Sequence, residues 1–95
     1  MATAGYRVAF QAVAAMAKEI RSPRSDALRK LIKLERTRAE LTQGQLAERL
    51  GWDQKTVSDI ETGGRKVSAI ELIQLGEILG FDPAAAIRRI AKVRD

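Results

Sequence analysis

The spacing of apolar residues predicts a chain that is helical along most of its length. Apolar side chains recur three or four positions apart in successive segments, which places them along one face of an α-helix. No segment shows the alternation of apolar and polar residues that is typical of a half-buried strand. We therefore expect an all-α protein.

The first predicted helix covers residues 6–20. Its apolar face consists of Tyr6, Phe10, Val13, Ala17 and Ile20. This helix either packs on the domain that follows it or uses its apolar stripe to form or extend a dimer interface. A third interpretation, a short secretory signal, is weaker because Gln11 interrupts the apolar run and only Arg7 precedes it as a charge.

Capping residues mark the start of the helices that flank the centre of the chain. They are Ser22 with Pro23, Ser68 with Glu71, and Asp82 with Pro83. The signals predict one helix from Pro23 to Arg38, another that Gly80 ends, and a last helix after Asp82. We divide the chain into an N-terminal amphipathic helix, residues 1–21, and a domain of five helices, residues 22–95.

The centre of the chain predicts two short helices around a tight glycine turn. Thr42 and Gln45 have the spacing of a capping box, so the first of these helices begins at Gln43 and ends at Gly51. Asp53 is expected to cap the second helix with its side-chain oxygen and its charge, and Gly63 follows that helix.

The contact between these two helices is expected to be close. Ala47 lies where the first helix presses on the second, and its methyl group leaves room for that approach. Trp52, in the turn, is expected to cover the contact. Two helices joined in this way form the arrangement that places the second helix in the DNA major groove.

The same residues resemble a known family. The string Leu-Thr-Gln-x-Gln-Leu-Ala-x-x-Leu-Gly, followed by Gln-x-Thr-Val-Ser-x-Ile-Glu-x-Gly, is similar to the helix-turn-helix of the Cro and lambda-repressor-like family, also called XRE-type. The similarity runs from about residue 22 to residue 90. It implies a five-helix lambda-repressor-like DNA-binding domain in a cytoplasmic protein of a bacterium or phage. It also implies a partly buried pair between Arg36 and Glu61.

Candidate DNA contacts follow from this geometry and from the resemblance. The first residues of the second helix project toward base edges, and the candidates for reading bases are Gln54, Lys55, Ser58 and Asp59. A glutamine amide at position 54 suits adenine, because it can donate and accept at once. The resemblance implies that the DNA backbone is contacted by Gln43, Thr56, Arg65 and Lys66.

Composition narrows the chemistry. The chain has 95 residues, a net charge of +5, and neither cysteine nor histidine. Its length suits one domain, and its charge suits a polyanion such as double-stranded DNA. No set of residues suggests a catalytic site, so we predict no enzyme, no cofactor and no metal site. No apolar run approaches the length that crosses a membrane.

The charge distribution leaves two functions open. Residues 42–62 carry two basic and four acidic side chains, so the basic surface lies on the flanks of the helix-turn-helix. The favoured function is a transcriptional regulator, a repressor that binds an inverted repeat as a homodimer. The alternative is a protein-interaction module on the same scaffold, antitoxin-like or an antiactivator, whose acidic helix meets a protein partner.

Overall fold

Five α-helices form the part of the chain that the computed structural model describes, residues 22–94. They are α1 Pro23–Arg38, α2 Gln43–Leu50, α3 Gln54–Thr62, α4 Ala69–Leu79 and α5 Pro83–Ala91. No strand occurs within residues 22–94, so the predicted all-α class is confirmed. The helix predicted over residues 6–20 lies outside the described residues.

The two predicted capping boxes are present. The Thr42 hydroxyl accepts from the Gln45 amide at 3.1 Å, and the Gln45 side chain accepts from the Thr42 amide at 2.9 Å. Ser68 and Glu71 make the same reciprocal bonds at 3.1 Å and 2.9 Å. Each box satisfies amides that the first helical turn leaves unpaired, which is why α2 and α4 begin where the sequence predicts.

The start of α3 differs from the expectation in one respect. Asp53 occupies the N-cap position, with extended backbone angles, but its side chain makes no capping hydrogen bond. The Thr56 amide donates instead to the backbone carbonyl of Asp53 at 3.0 Å. The predicted contribution of the Asp53 oxygen is therefore wrong, and only its charge near the positive end of the helix dipole remains as a stabilising feature.

The core lies between α1, α2, α3 and α4. Its largest fully buried side chains are Ile32, Leu46, Val57, Ile60 and Leu75. Ala47 is buried in the same core, and Trp52 is partly buried against it. Gly51, with a φ of 72°, turns the chain sharply between α2 and α3. The core and this turn together determine the direction in which α3 points.

A buried ion pair joins α3 to α1. The Arg36 guanidinium donates to both carboxylate oxygens of Glu61, from Nε at 2.6 Å and from Nη2 at 2.9 Å. The side chain of Glu61 is only 3% exposed and that of Arg36 13%. Arg36 also donates to the backbone carbonyl of Leu41 at 2.8 Å, and Gln43 donates to Glu61 at 3.1 Å. The pair thus connects α1, α2 and α3.

Opposing effects act on the pKa of the Glu61 carboxyl. Burial alone would raise this pKa, but the hydrogen bonds from Arg36 and Gln43 and the charge of Arg36 outweigh burial and lower it from its ordinary 4.5. A carboxyl whose pKa is lower in the folded state stabilises the fold above its unfolded pKa. That stabilisation is lost as the pH falls through the folded pKa.

Removing the charge of Glu61 tests this linkage. We expect Glu61→Gln to lower the free energy of unfolding by about 3 kcal/mol at about pH 6, because the Arg36 charge loses its buried partner. As the pH falls from about 6 to about 3 the gap between the two proteins should narrow, since the unfolded wild-type chain binds a proton at this carboxyl before the folded protein does. Urea unfolding at both pH values measures the gap. An unchanged gap would show that the charge of Glu61 does not stabilise the folded state.

Gly76 provides a second close contact in the fold. The chain folds back over this glycine after α4, and the Gly76 carbonyl accepts from the amides of Gly80 and Phe81 at 2.8 Å and 3.1 Å. A Cβ at position 76 would lie 2.7 Å from the Phe81 carbonyl oxygen and 3.0 Å from Pro83 Cδ. The missing side chain therefore lets the α4–α5 connection lie against α4.

We expect Gly76→Ala to destabilise the protein by about 1 to 3 kcal/mol, as overpacking does in a dense interior. Gln74→Ala, at an exposed position of the same helix, is the matched control and should have little effect. Urea denaturation compares the two variants. A gain of about 1 kcal/mol, the helix preference of alanine over glycine, would show instead that the backbone yields without strain.

Candidate nucleic-acid interface

The N-terminal ends of α2 and α3 lie side by side. A Cβ at Gly44 would be 3.2 Å from Oε1 of Gln54, so the Gln54 side chain passes over the first turn of α2. Gln54, the first residue of α3, is exposed, whereas Gln43, the first residue of α2, is partly exposed. The Gln54 amide, a predicted base contact, thus lies at the first turn of α2, the helix that begins with Gln43, a predicted backbone contact.

The predicted base-reading residues lie along the outer side of α3. Gln54 and Lys55 are exposed, and Ser58 and Asp59 are partly exposed. The Lys55 ammonium lies 3.1 Å from the Asp59 carboxylate, one helical turn further along. Because the Lys55 side chain is 84% exposed, this is an ion pair in water, and such a pair contributes little to stability.

The predicted backbone contacts of α2 and α3 are more enclosed. The Gln43 amide group donates to Glu61 at 3.1 Å, so the side chain that the resemblance directs to a phosphate is held by the buried pair. Thr56 is partly buried, in the first turn of α3. Glu61 thereby fixes the position of Gln43 on the surface where Gln54 lies.

The loop after α3 carries the other two predicted backbone contacts. Arg65 forms a two-pronged ion pair with Glu71, from Nη1 at 3.1 Å and from Nη2 at 2.6 Å. Arg65 also donates to the backbone carbonyl of Lys66 at 3.2 Å, and Lys66 is exposed. The loop is therefore held against the start of α4.

The pKa values of the Arg65–Glu71 pair are displaced in the direction that an ion pair produces. The hydrogen bond to Glu71 raises the pKa of Arg65, and the charge of Asp59 adds a smaller contribution in the same direction. The hydrogen bond from Arg65 is also the largest cause that lowers the pKa of Glu71. Asp59 thus acts electrostatically on Arg65 while it contacts Lys55.

The contact of Glu71 with Arg65 is the feature of this surface that was not predicted from the sequence. We assigned Glu71 only to the capping box of α4, whereas its carboxylate also holds Arg65. The four-residue spacing of Lys55 and Asp59 on one helix indicates an ion pair between them, but the Arg65–Glu71 pair spans a loop. Its geometry depends on how that loop folds.

Neither a metal site nor a membrane span is found within residues 22–94. Within residues 22–94 no cluster of histidine, cysteine, aspartate and glutamate could hold a metal ion. No helix in the same range combines the length and the hydrophobicity needed to span a bilayer. The candidate functional site is the surface built by α2, α3 and the following loop, because the predicted DNA contacts lie there.

Comparisons with known proteins agree with this geometry. A family model described as a helix-turn-helix domain matches residues 27–89. A solved structure of an XRE-family like protein from Pseudomonas syringae pv. tomato str. DC3000 is 34% identical, with a TM-score of 0.70. The match covers 80% of this chain and 93% of that one. No curated relative matches the chain. The chain therefore belongs to the XRE-type helix-turn-helix family, and this membership supports a DNA-binding regulator.

Proposed function

We propose that the protein is a sequence-specific transcriptional repressor that binds an inverted-repeat operator as a homodimer. The observation that carries the proposal is the exposed start of α3, where Gln54 lies beside the first turn of α2 and Lys55 follows it at the surface. In a helix-turn-helix the start of the second helix contacts base edges in the major groove. Repression follows if the dimer occupies a promoter and excludes polymerase.

Each base-reading residue has a role suited to its chemistry. Gln54 pairs with adenine through both ends of its amide, and Lys55 donates to the acceptors of guanine. Asp59 accepts from the amino group of cytosine or orients Lys55, to which it is bound in the free protein. Ser58, with one hydroxyl, can donate to or accept from a base.

The backbone contacts position the helix. Gln43 and Thr56 lie at the starts of α2 and α3, where helix amides also favour a phosphate. Arg65 and Lys66 approach the phosphates from the loop. In the free protein Nη1 and Nη2 of Arg65 donate to Glu71 and to the Lys66 carbonyl, so a phosphate would share this arginine with Glu71.

A homodimer suits the apolar residues that the fold leaves exposed. Ile70 and Ile73 lie three residues apart on α4 and are 67% and 43% exposed, and Ile87 on α5 is 52% exposed. Exposed apolar side chains of this size are candidates for an interface between protomers. The stripe of residues 6–20 is a further candidate.

Gln54→Ala tests base reading. We expect it to weaken binding to a duplex that the wild-type protein selects from a random library by about 1 to 3 kcal/mol, because an adenine loses its two-pronged contact. Binding to a mixed-sequence duplex should be unchanged. Gln74→Ala, at an exposed position on α4, is the control for losing a glutamine. If Gln54→Ala leaves the selected sequence and its affinity unchanged, the proposed reading face is wrong.

The selected sequence itself tests the dimer. We expect an inverted repeat whose half-sites lie about one helical turn apart, bound by two protomers, with affinity that falls steeply between about 50 and 200 mM salt. Sedimentation of the protein on this duplex counts the protomers. A single half-site with one protomer would contradict the dimer. Failure to select any sequence would contradict sequence-specific binding and favour the protein-interaction function.

A further inference from the structure

Carboxylates of the protein hold three of the donors that face the proposed DNA site. Asp59 binds Lys55, Glu71 binds Arg65, and Glu61 binds Gln43, at distances between 2.6 Å and 3.1 Å. The Glu61 contact belongs to the buried core. The other two are ion pairs on the proposed DNA-binding surface, where the side chain of Lys55 is 84% exposed and that of Arg65 39%. Surface ion pairs of this kind contribute little to stability.

We propose that Asp59 is a specificity-determining residue, which holds Lys55 in the free protein and thereby suppresses binding to DNA of the wrong sequence, and that Glu71 weakens the contact of Arg65 with phosphates of any sequence. The inference rests on the DNA-binding function proposed above. For Asp59 it concerns the contrast between wrong and right sequences, rather than the bases that the protein selects.

The physical reason is the difference between a phosphate and a base edge. A phosphate that approaches Lys55 meets the Asp59 carboxylate 3.1 Å from the ammonium, and the two anions repel each other. Phosphates are the same at every position along DNA, so this repulsion acts on every non-specific complex. The carboxylate therefore weakens the contact that carries no sequence information.

A matching base pair removes part of this penalty. In the major groove guanine presents acceptors, which suit Lys55, and cytosine presents an amino donor, which suits Asp59. A G·C pair can therefore satisfy both side chains, whereas a phosphate satisfies only the lysine. Specificity is the difference between the two affinities, and an acid that penalises the wrong partner increases it.

Glu71 restrains Arg65 on the loop, but here no base pair removes the penalty, because Arg65 meets a phosphate whatever the sequence. The Glu71 carboxylate neutralises Arg65 through two hydrogen bonds, so the arginine meets a phosphate with a compensated charge. Asp59 adds to this effect, since its charge also acts on Arg65. One ion pair thus lies on α3, and a second joins the loop after α3 to the start of α4.

The test uses Asp59→Asn and Glu71→Gln in the full chain. Asparagine keeps the size of aspartate, and glutamine can keep the acceptor that the capping box of Ser68 requires. Both variants remove one negative charge. Glu77→Gln is the matched control, because Glu77 is an exposed acid on α4 that forms no ion pair within the described residues.

The measurement is binding to a labelled mixed-sequence duplex of about 30 base pairs, which needs no knowledge of the operator. We expect each variant to bind it about three- to tenfold more tightly than the wild type, with a salt slope steeper by about 0.9 for one released cation. For Asp59→Asn the affinity for the library-selected duplex should rise less, so the ratio of the two affinities falls, whereas Glu71→Gln should raise both affinities together. Glu77→Gln should change neither value by a comparable amount.

A double-variant cycle separates this mechanism from a general effect of charge. In a Lys55→Ala background, Asp59→Asn should lose most of its effect on mixed-sequence binding, because the cation that it released is gone. The same holds for Glu71→Gln in an Arg65→Ala background. An equal gain with and without the cation would overturn the proposal.

Two further results would also overturn it. One is a mixed-sequence affinity of Asp59→Asn and Glu71→Gln no greater than that of Glu77→Gln. The other is unchanged mixed-sequence binding with a loss on the selected duplex, which would make Asp59 a base-reading or orienting residue alone. If the wild-type protein selects no sequence, the proposed operator function fails, while the mixed-sequence cycle still decides whether the acids restrain the cations.

Discussion

The position of α3 depends on one carboxylate. Glu61 lies on α3 and accepts hydrogen bonds from Arg36 on α1 and from Gln43 on α2. Because two charges at 3% and 13% exposure are stable only with good geometry, the pair tolerates little rotation of α3 against α1. The backbone positions from which the outer side chains of α3 extend are therefore fixed as well. A surface that reads bases needs such support, because hydrogen bonds to base edges have strict geometry.

Acidic residues serve a different purpose at the surface than in the core. The chain has a net charge of +5, yet its helix-turn-helix segment carries more acids than bases. In the structure two of these acids have distinct partners: Glu61 completes the buried pair, and Asp59 contacts Lys55. Glu71, further along the chain, holds Arg65. In the proposed DNA-binding function, the basic residues of the flanks supply general attraction to DNA, whereas Asp59 and Glu71 act on the individual contacts of Lys55 and Arg65.

Local signals were sufficient to predict most of the fold. Capping boxes at Thr42 and Ser68 determined where α2 and α4 begin, since each involves residues only three positions apart. Asp53 shows where such signals fail. The residue stands at the predicted N-cap, but a backbone carbonyl takes the amide that its side chain was expected to bind. Which of two nearby oxygens accepts a bond is decided by backbone geometry that residue identity does not reveal.

For the candidate site, sequence alone predicted which residues share the surface, because Gln54, Lys55, Ser58 and Asp59 follow the periodicity of one helix. It also determined the helical class, the short turn at Gly51 and the excess of acids. Only the tertiary structure decided what those side chains contact. Glu71 meets Arg65 across a loop, and Gln43 meets Glu61 across two helices. Such partners lie on different helices or are separated by a loop. The distance between them therefore depends on how the helices pack and not on their spacing along the chain.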